Sequence, residues 1–278
     1  MSTIKKISYC LYLVLLLPLC TLAQGGKNKS GISLDTMRVD GRVGLAITMS
    51  DLPGQRFVLE IPEVFTLKDF KSGLFNYNEQ VWTYTNKGAD MNFEDNNYKY
   101  IIKLKTEKSK KSVGVKWSMS FTNKTTNSLY DLAAFNCWTM NTAPLFKDLK
   151  MERTFVFDSS GNKVLLKDVR KNQGEGKRTM QFYSAVTGID LTKSPWINQW
   201  AVISDQALGG QKVSIVSTDA NWLYENKVDG KVAYFFNNWE HDHGCLHASP
   251  LLATELKPGA SAKAKGEFNF KRIRKDLK

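Results

Sequence analysis

The chain has 278 residues, 42% of them hydrophobic and 24% charged, with 39 Lys and Arg against 27 Asp and Glu, a formal net charge of +12. That apolar content excludes a disordered, solvating chain, and four cysteines are too few for a disulfide-stapled miniature scaffold. The basic surplus points to anionic partners and says nothing of the fold.

Met1-Ser-Thr-Ile-Lys5-Lys6 is a short basic stretch, and the run from Ile7 to Leu19 is apolar, the order of a secretory signal. Pro18 interrupts the run, which is too short for the roughly 20 residues of a permanent membrane anchor. Small residues at Thr21 and Ala23 predict cleavage between Ala23 and Gln24, giving a signal peptide over 1–23. The protein is therefore expected to be secreted or periplasmic, with no integral membrane span after cleavage. Only Lys5 and Lys6 leave with the signal, so the mature chain stays cationic. Outside the cytoplasm this charge suits an anionic glycan, lipid surface or wall polymer better than nucleic acid.

The glycine-rich segment 24–31 is expected to be a flexible leader, followed by one domain over 32–278. From there the apolar pattern has period two. Strands are predicted at Phe57–Ile61, Tyr98–Lys105, Val113–Phe121, Arg153–Phe157, Val213–Ser217, Val232–Phe236 and Ala262–Phe270. Asp158-Ser-Ser-Gly-Asn162, Val228-Asp-Gly-Lys231 and Lys257-Pro-Gly259 read as turns between them. No long stretch has helical spacing. The prediction is an all-β, large antiparallel two-sheet sandwich with few short helices.

All three histidines fall in Trp239-Glu-His241-Asp-His243-Gly-Cys245-Leu-His247. On a strand, alternate residues share a face, so His241, His243, Cys245 and His247 are expected to project together, with Trp239 ahead of them. Two chemistries fit. Imidazoles near neutrality can move protons, which makes His241, His243 and His247 candidate acids or bases. Alternatively His241 and His243 bind a divalent metal, since ligands two apart on a strand can converge on one ion. The whole row is too long for one ion, at roughly 20 Å by strand rise. Glu240 and Asp242 should face the other way, leaving Asp148, Asp205 and Glu225 as candidate partner carboxylates. A third reading is that the histidines are structural. Cys137 and Cys245, the cysteines left after cleavage, invite a disulfide in an oxidising compartment, and that bond excludes a Cys245 thiolate ligand.

Seven tryptophans, many beside amides, suggest sugar contacts at Trp200, Trp222, Tyr224, Asn237 and Trp239, although burial in the core explains most tryptophans of a large sandwich. No Gly-x-Ser-x-Gly elbow, phosphate loop, His-Glu-x-x-His or Cys-x-x-Cys is present. Asn123-Lys-Thr125 spells a glycosylation acceptor.

The stretches Gly244-Cys-Leu-His247-Ala-Ser-Pro250, Leu256-Lys-Pro-Gly259 and Lys265-Gly-Glu-Phe-Asn-Phe270 resemble the last strands of galactose-mutarotase-like β-sandwich proteins. Leu129–Cys137 and Pro144–Asp148 are similar to segments of uncharacterised secreted bacterial proteins of that kind. The resemblance implies a supersandwich whose concave sheet handles an oligo- or polysaccharide. Its members include sugar epimerases with a histidine and a carboxylate as acid and base, accessory domains of polysaccharide lyases, and noncatalytic modules. The reading that combines these lines is an exported carbohydrate-binding or carbohydrate-processing protein for an anionic glycan. The alternatives are a metal-dependent enzyme at His241 and His243 and a noncatalytic envelope interaction protein.

Overall fold

Alternating apolar side chains become strands wherever one face can be buried, and this chain buries such faces along most of its length. The computed structural model describes residues 26–27, 30–39, 42–68, 81–176, 178–238 and 244–273. Its first strands are β1 (Gly26–Lys27), β2 (Ile32–Val39), β3 (Arg42–Met49), β4 (Arg56–Thr66), β5 (Trp82–Thr85), β6 (Gly88–Glu94), β7 (Tyr98–Lys108), β8 (Ser112–Asn123) and β9 (Leu129–Thr139). There follow β10 (Thr154–Phe157), β11 (Lys163–Leu165), β12 (Lys171–Gln173), β13 (Gln181–Ser184), β14 (Val202–Ser204), β15 (Gly209–Val216), β16 (Trp222–Val228), β17 (Val232–Asn237), β18 (Cys245–Leu256) and β19 (Ser261–Arg272). A single α-helix among the described residues, α1 (Pro195–Trp200), is one and a half turns long.

The strands form a ten-stranded sheet, in the order β1-β2-β3-β4-β9-β18-β17-β13-β14-β12, and a nine-stranded sheet, in the order β11-β10-β15-β16-β19-β8-β7-β6-β5. The β13–β14 pair is parallel, and the other ladders are antiparallel. The all-β sandwich expected from the pattern is what the chain forms, and each of the seven predicted runs falls in a strand to within one residue at its ends. Within the expected leader, Gly26 and Lys27 pair with Leu34 and Ser33, and Gly31 takes φ 73° at the start of β2. Residues 1–23 lie outside the described residues. No helix among those described is long and apolar enough to cross a membrane.

The faces that meet between the sheets carry Phe57, Phe65, Phe121, Trp138, Tyr224, Phe268 and Phe270, all fully buried. The outer face of the nine-stranded sheet is polar, as alternation on β8 requires: Trp117, Met119 and Phe121 point in, while Lys116 and Ser118 are exposed. The ten-stranded sheet differs. Its outer face holds a second apolar cluster in which Cys137, Phe182, Tyr234, Phe236 and Cys245 pack beneath Leu191 and Ile197 of the 186–201 segment. Strands covered on both faces read as unbroken apolar runs, and all six residues of β17 are buried.

Candidate functional site

The histidine-rich segment feeds into β18. Trp239, Glu240, His241, Asp242 and His243 lie outside the described residues, so the geometry is built from Cys245 and His247. Leu246 and Ala248 join the core between the sheets, which turns Cys245 and His247 to the outer face. Registers carry this face across the sheet. Glu60 stands opposite Cys137, His247 opposite Phe236, and Phe236 opposite Phe182.

His247 is completely buried, with its ring centroid 4.1 Å from that of Phe135 and 4.9 Å from that of Phe236. Neither ring nitrogen has a hydrogen-bond partner among the described residues. Burial lowers its pKa well below 6.5, so the imidazole is neutral in the folded chain. A sealed, neutral ring cannot serve as acid or base toward a substrate, and the catalytic expectation for His247 is corrected to a structural one. The physical reason is that the strand's outer face, which a strand pattern leaves open to solvent, is covered here. On unfolding the ring regains its ordinary pKa. Below pH 6.5 the unfolded chain then binds a proton that the folded chain does not, and stability falls by about 1.4 kcal/mol per pH unit from this residue. Denaturant unfolding at pH 7 and pH 5 checks it: wild type should lose more stability than His247→Leu. Equal losses would contradict the buried neutral ring.

Cys137 and Cys245 are joined by a disulfide with Cα atoms 5.7 Å apart, and the Thr139 hydroxyl lies 3.3 Å and 3.4 Å from the two sulfurs. The two Sγ atoms and a nitrogen of His247 fall within 4.8 Å of one another. A metal would need both sulfurs as thiolates, and the disulfide leaves the imidazole alone, so this trio does not fit an ion in the oxidised chain.

The three candidate carboxylates are committed elsewhere. Asp148 accepts backbone N–H groups of Glu152, Arg153 and Thr154 and the Thr154 hydroxyl, closing a turn. Asp205 pairs with Arg170. Glu225 is on the nine-stranded sheet; burial pushes its carboxyl up, and the Lys212 and Lys271 ammonium groups outweigh this and hold it below the usual range. The carboxylates near the histidine strand are instead Glu60, buried, and Glu63, half-buried, each with an oxygen within 4.8 Å of the Cys137 sulfur. A signal for Glu60 existed: it is a lone charge inside the apolar run Phe57–Ile61, a costly position unless the carboxylate has partners.

Most of the residues expected to touch a sugar are enclosed in the same way. Tyr224 is fully buried and stacks on Trp138 at 5.4 Å between the sheets. Asn237 is also fully buried, and its Nδ2 donates to the Tyr183 hydroxyl at 2.7 Å. Trp222 is 6% exposed and lies under the Arg272 guanidinium at 4.5 Å. These three are framework residues, because the inward face of β16 and the end of β17 are enclosed. Trp200 is different, being 41% exposed, and so is its neighbour one turn earlier, Trp196, at 37%. Asn123 is equally unavailable as a glycosylation acceptor: it is buried and its Nδ2 donates to the carbonyls of Asn127 and Leu256.

The two tryptophans sit on α1, which starts because Ser194 caps it, accepting from the Ile197 N–H at 3.2 Å, and because Pro195 occupies the first turn. Ile197 anchors the helix in the outer cluster. Spacing of four residues puts Trp196 and Trp200 on one helix face. A hollow of about 660 Å³ lined by Gln173, Gly174, Glu175, Thr192, Asn198 and Gln199 opens on another side of the helix, and neither tryptophan lines it. It lies against the helix end because Gly176 permits close approach: a Cβ there would come within 2.0 Å of the Ala201 nitrogen. Ser194→Ala should cost about 1 kcal/mol and loosen this platform, read as a lower unfolding midpoint. An unchanged midpoint would contradict the cap.

Neither a family model nor a curated protein matches this chain. Among solved structures it is similar to the Slr1438 protein from Synechocystis sp. PCC 6803, over 90% of this chain and 95% of that one, at 11% identity and a TM-score of 0.49. A putative aldose 1-epimerase from Escherichia coli K12 is matched over 87% of this chain and all of that one, at 8% identity and a TM-score of 0.41. The GalM/aldose epimerase homologue from C. elegans is matched over 90% of this chain and 81% of that one, at 11% identity and a TM-score of 0.37.

Chemically, the two regions differ. Around His247 the chain offers a dry imidazole, a disulfide and shielded carboxylates. At α1 it offers partly exposed indole surface on one helix face and, on another side, a hollow lined by amides, a hydroxyl and the Glu175 carboxylate.

Proposed function

We propose that this protein is exported and binds an anionic oligo- or polysaccharide, with the sugar held on the α1 surface and not at His247. The supporting observation is the pair Trp196 and Trp200, exposed on one face of α1, the helix whose other side borders the hollow at Gln173 and Gln199. Large aromatic side chains are normally buried, so two that keep 37% and 41% of their surface exposed on one helix face mark an interaction surface. The Gln173 and Gln199 side chains, exposed at the rim, can donate to and accept from sugar hydroxyls. Binding to an array of neutral, uronic and sulfated glycans tests the reading. Retention of at least one glycan class, lost in Trp196→Ala/Trp200→Ala, is expected; no binding to any class would contradict it.

A second reading is a metal-dependent enzyme centred on His241 and His243. One observation favours it: the strand leaving that segment runs beside β9, where Glu60 and Glu63 gather at Cys137. Metal analysis after gentle purification decides, and a chain free of zinc, copper, iron and manganese would exclude it.

A further inference from the structure

On the outer face of the nine-stranded sheet, most lysines are matched to carboxylates. Lys105 and Lys116 share Glu107, Lys212 and Lys271 share Glu225, Lys99 and Lys124 share Glu94, and Lys227 pairs with Asp229. Three neighbours break that pattern. Lys103 of β7 and Lys263 and Lys265 of β19 are exposed, and none has an ion pair among the described residues. Registers bring them together: Ser118 of β8 stands between Lys103 and Lys265, and Ser120 between Ile101 and Lys263. The short serines leave the floor between the lysines low, and a hollow of about 550 Å³ lies there.

We propose that this face is a docking surface for a linear anionic polysaccharide. The inference rests on the glycan reading above but assigns the charge recognition to a different surface from the tryptophans. Strand spacing separates Lys103 from Lys265 by roughly 9–10 Å, and two residues separate Lys263 from Lys265 by roughly 7 Å. Cations spread in this way do not converge on one small anion. A chain with repeated carboxylates or sulfates meets all three at once. Lysine supplies point charges without the fixed fork that arginine offers to phosphate. Hydroxyls of Ser118 and Ser120, and the Thr122–Ser261 hydroxyl pair at 2.7 Å, suit a hydroxyl-rich partner. A lipid surface would call for large exposed apolar anchors, whereas the apolar lining of the hollow is half-buried Ile101 and Ala264 and buried Met119, and its one carboxylate, Asp229, is paired with Lys227.

Calorimetric titration of the full chain at low ionic strength with dextran sulfate, polygalacturonate and neutral dextran tests the assignment. The wild type should bind one or both anionic polymers, more weakly as salt rises, and not neutral dextran. Lys103→Ala/Lys263→Ala/Lys265→Ala should weaken that binding at least ten-fold. The charge-matched control Lys68→Ala/Lys147→Ala/Lys150→Ala, which alters exposed lysines outside this sheet, should change it less than three-fold. Equal losses in the two triple variants would mean that net charge alone attracts the polymer, and would overturn the proposal. Binding of an array glycan through the tryptophans with no affinity for either anionic polymer would overturn it and leave the α1 reading standing. Double-stranded DNA bound as tightly as dextran sulfate and lost in the same variant would overturn the choice of occupant.

Discussion

Replacing both Cys137 and Cys245 by alanine is expected to cost about 4–5 kcal/mol of unfolding free energy. The bond ties residues 108 apart in sequence, and restricting a loop of that length in the unfolded chain is worth about 4.7 kcal/mol on the chain-entropy account. It crosses between β9 and β18, adjacent strands near the middle of the ten-stranded sheet, so the native state holds both ends rigidly. Urea unfolding of the wild type, the double-alanine variant and the reduced wild type checks this. The two sulfur-free or reduced forms should agree to within about 1 kcal/mol, and a loss below about 1 kcal/mol in both would contradict a bond of this span.

Trp138→Ala is expected to cost about 3–5 kcal/mol. The indole is fully buried, with ring centroids of Phe268, Phe57, Tyr224 and Phe270 at 4.7, 5.4, 5.4 and 6.0 Å. Its N–H has no hydrogen-bond partner among the described residues, so the loss is one of packing. Trp138→Phe should therefore cost less than half as much, because no hydrogen bond goes with the indole. Similar losses for the two substitutions would mean that the indole nitrogen has a role the packing does not account for.

What could be read from the chain was what local alternation controls. On β8 and β19, Val113 to Phe121 and Ala262 to Phe270 face the core with period two and show lysines and serines outward, so pattern and structure agree. The turn at Lys257-Pro-Gly259 closes as expected, with Gly259 at φ 74°. What could not be read was which outer face would be covered. His247 alternates with core residues as an exposed side chain would, yet the segment around Leu191 and Ile197, some fifty residues earlier, covers that side of the sheet. Likewise Trp222 and Tyr224 stand beside Asn221 in sequence, but their face of β16 is the inner one. Glu60 was passed over because a single charge in an apolar run does not disturb the strand pattern. The Trp196/Trp200 face was legible in principle, from Ser194-Pro195 as a helix start and the four-residue spacing that follows.

Equilibrium binding of whichever glycan the array selects, measured for wild type, Trp200→Ala and His247→Leu, tests the central claim most directly. Binding on the α1 surface predicts that Trp200→Ala weakens affinity about ten-fold or more, as loss of a tryptophan anchor does, while His247→Leu stays within about two-fold of wild type. Loss of binding in His247→Leu with Trp200→Ala unaffected would contradict it and return recognition to the histidine strand.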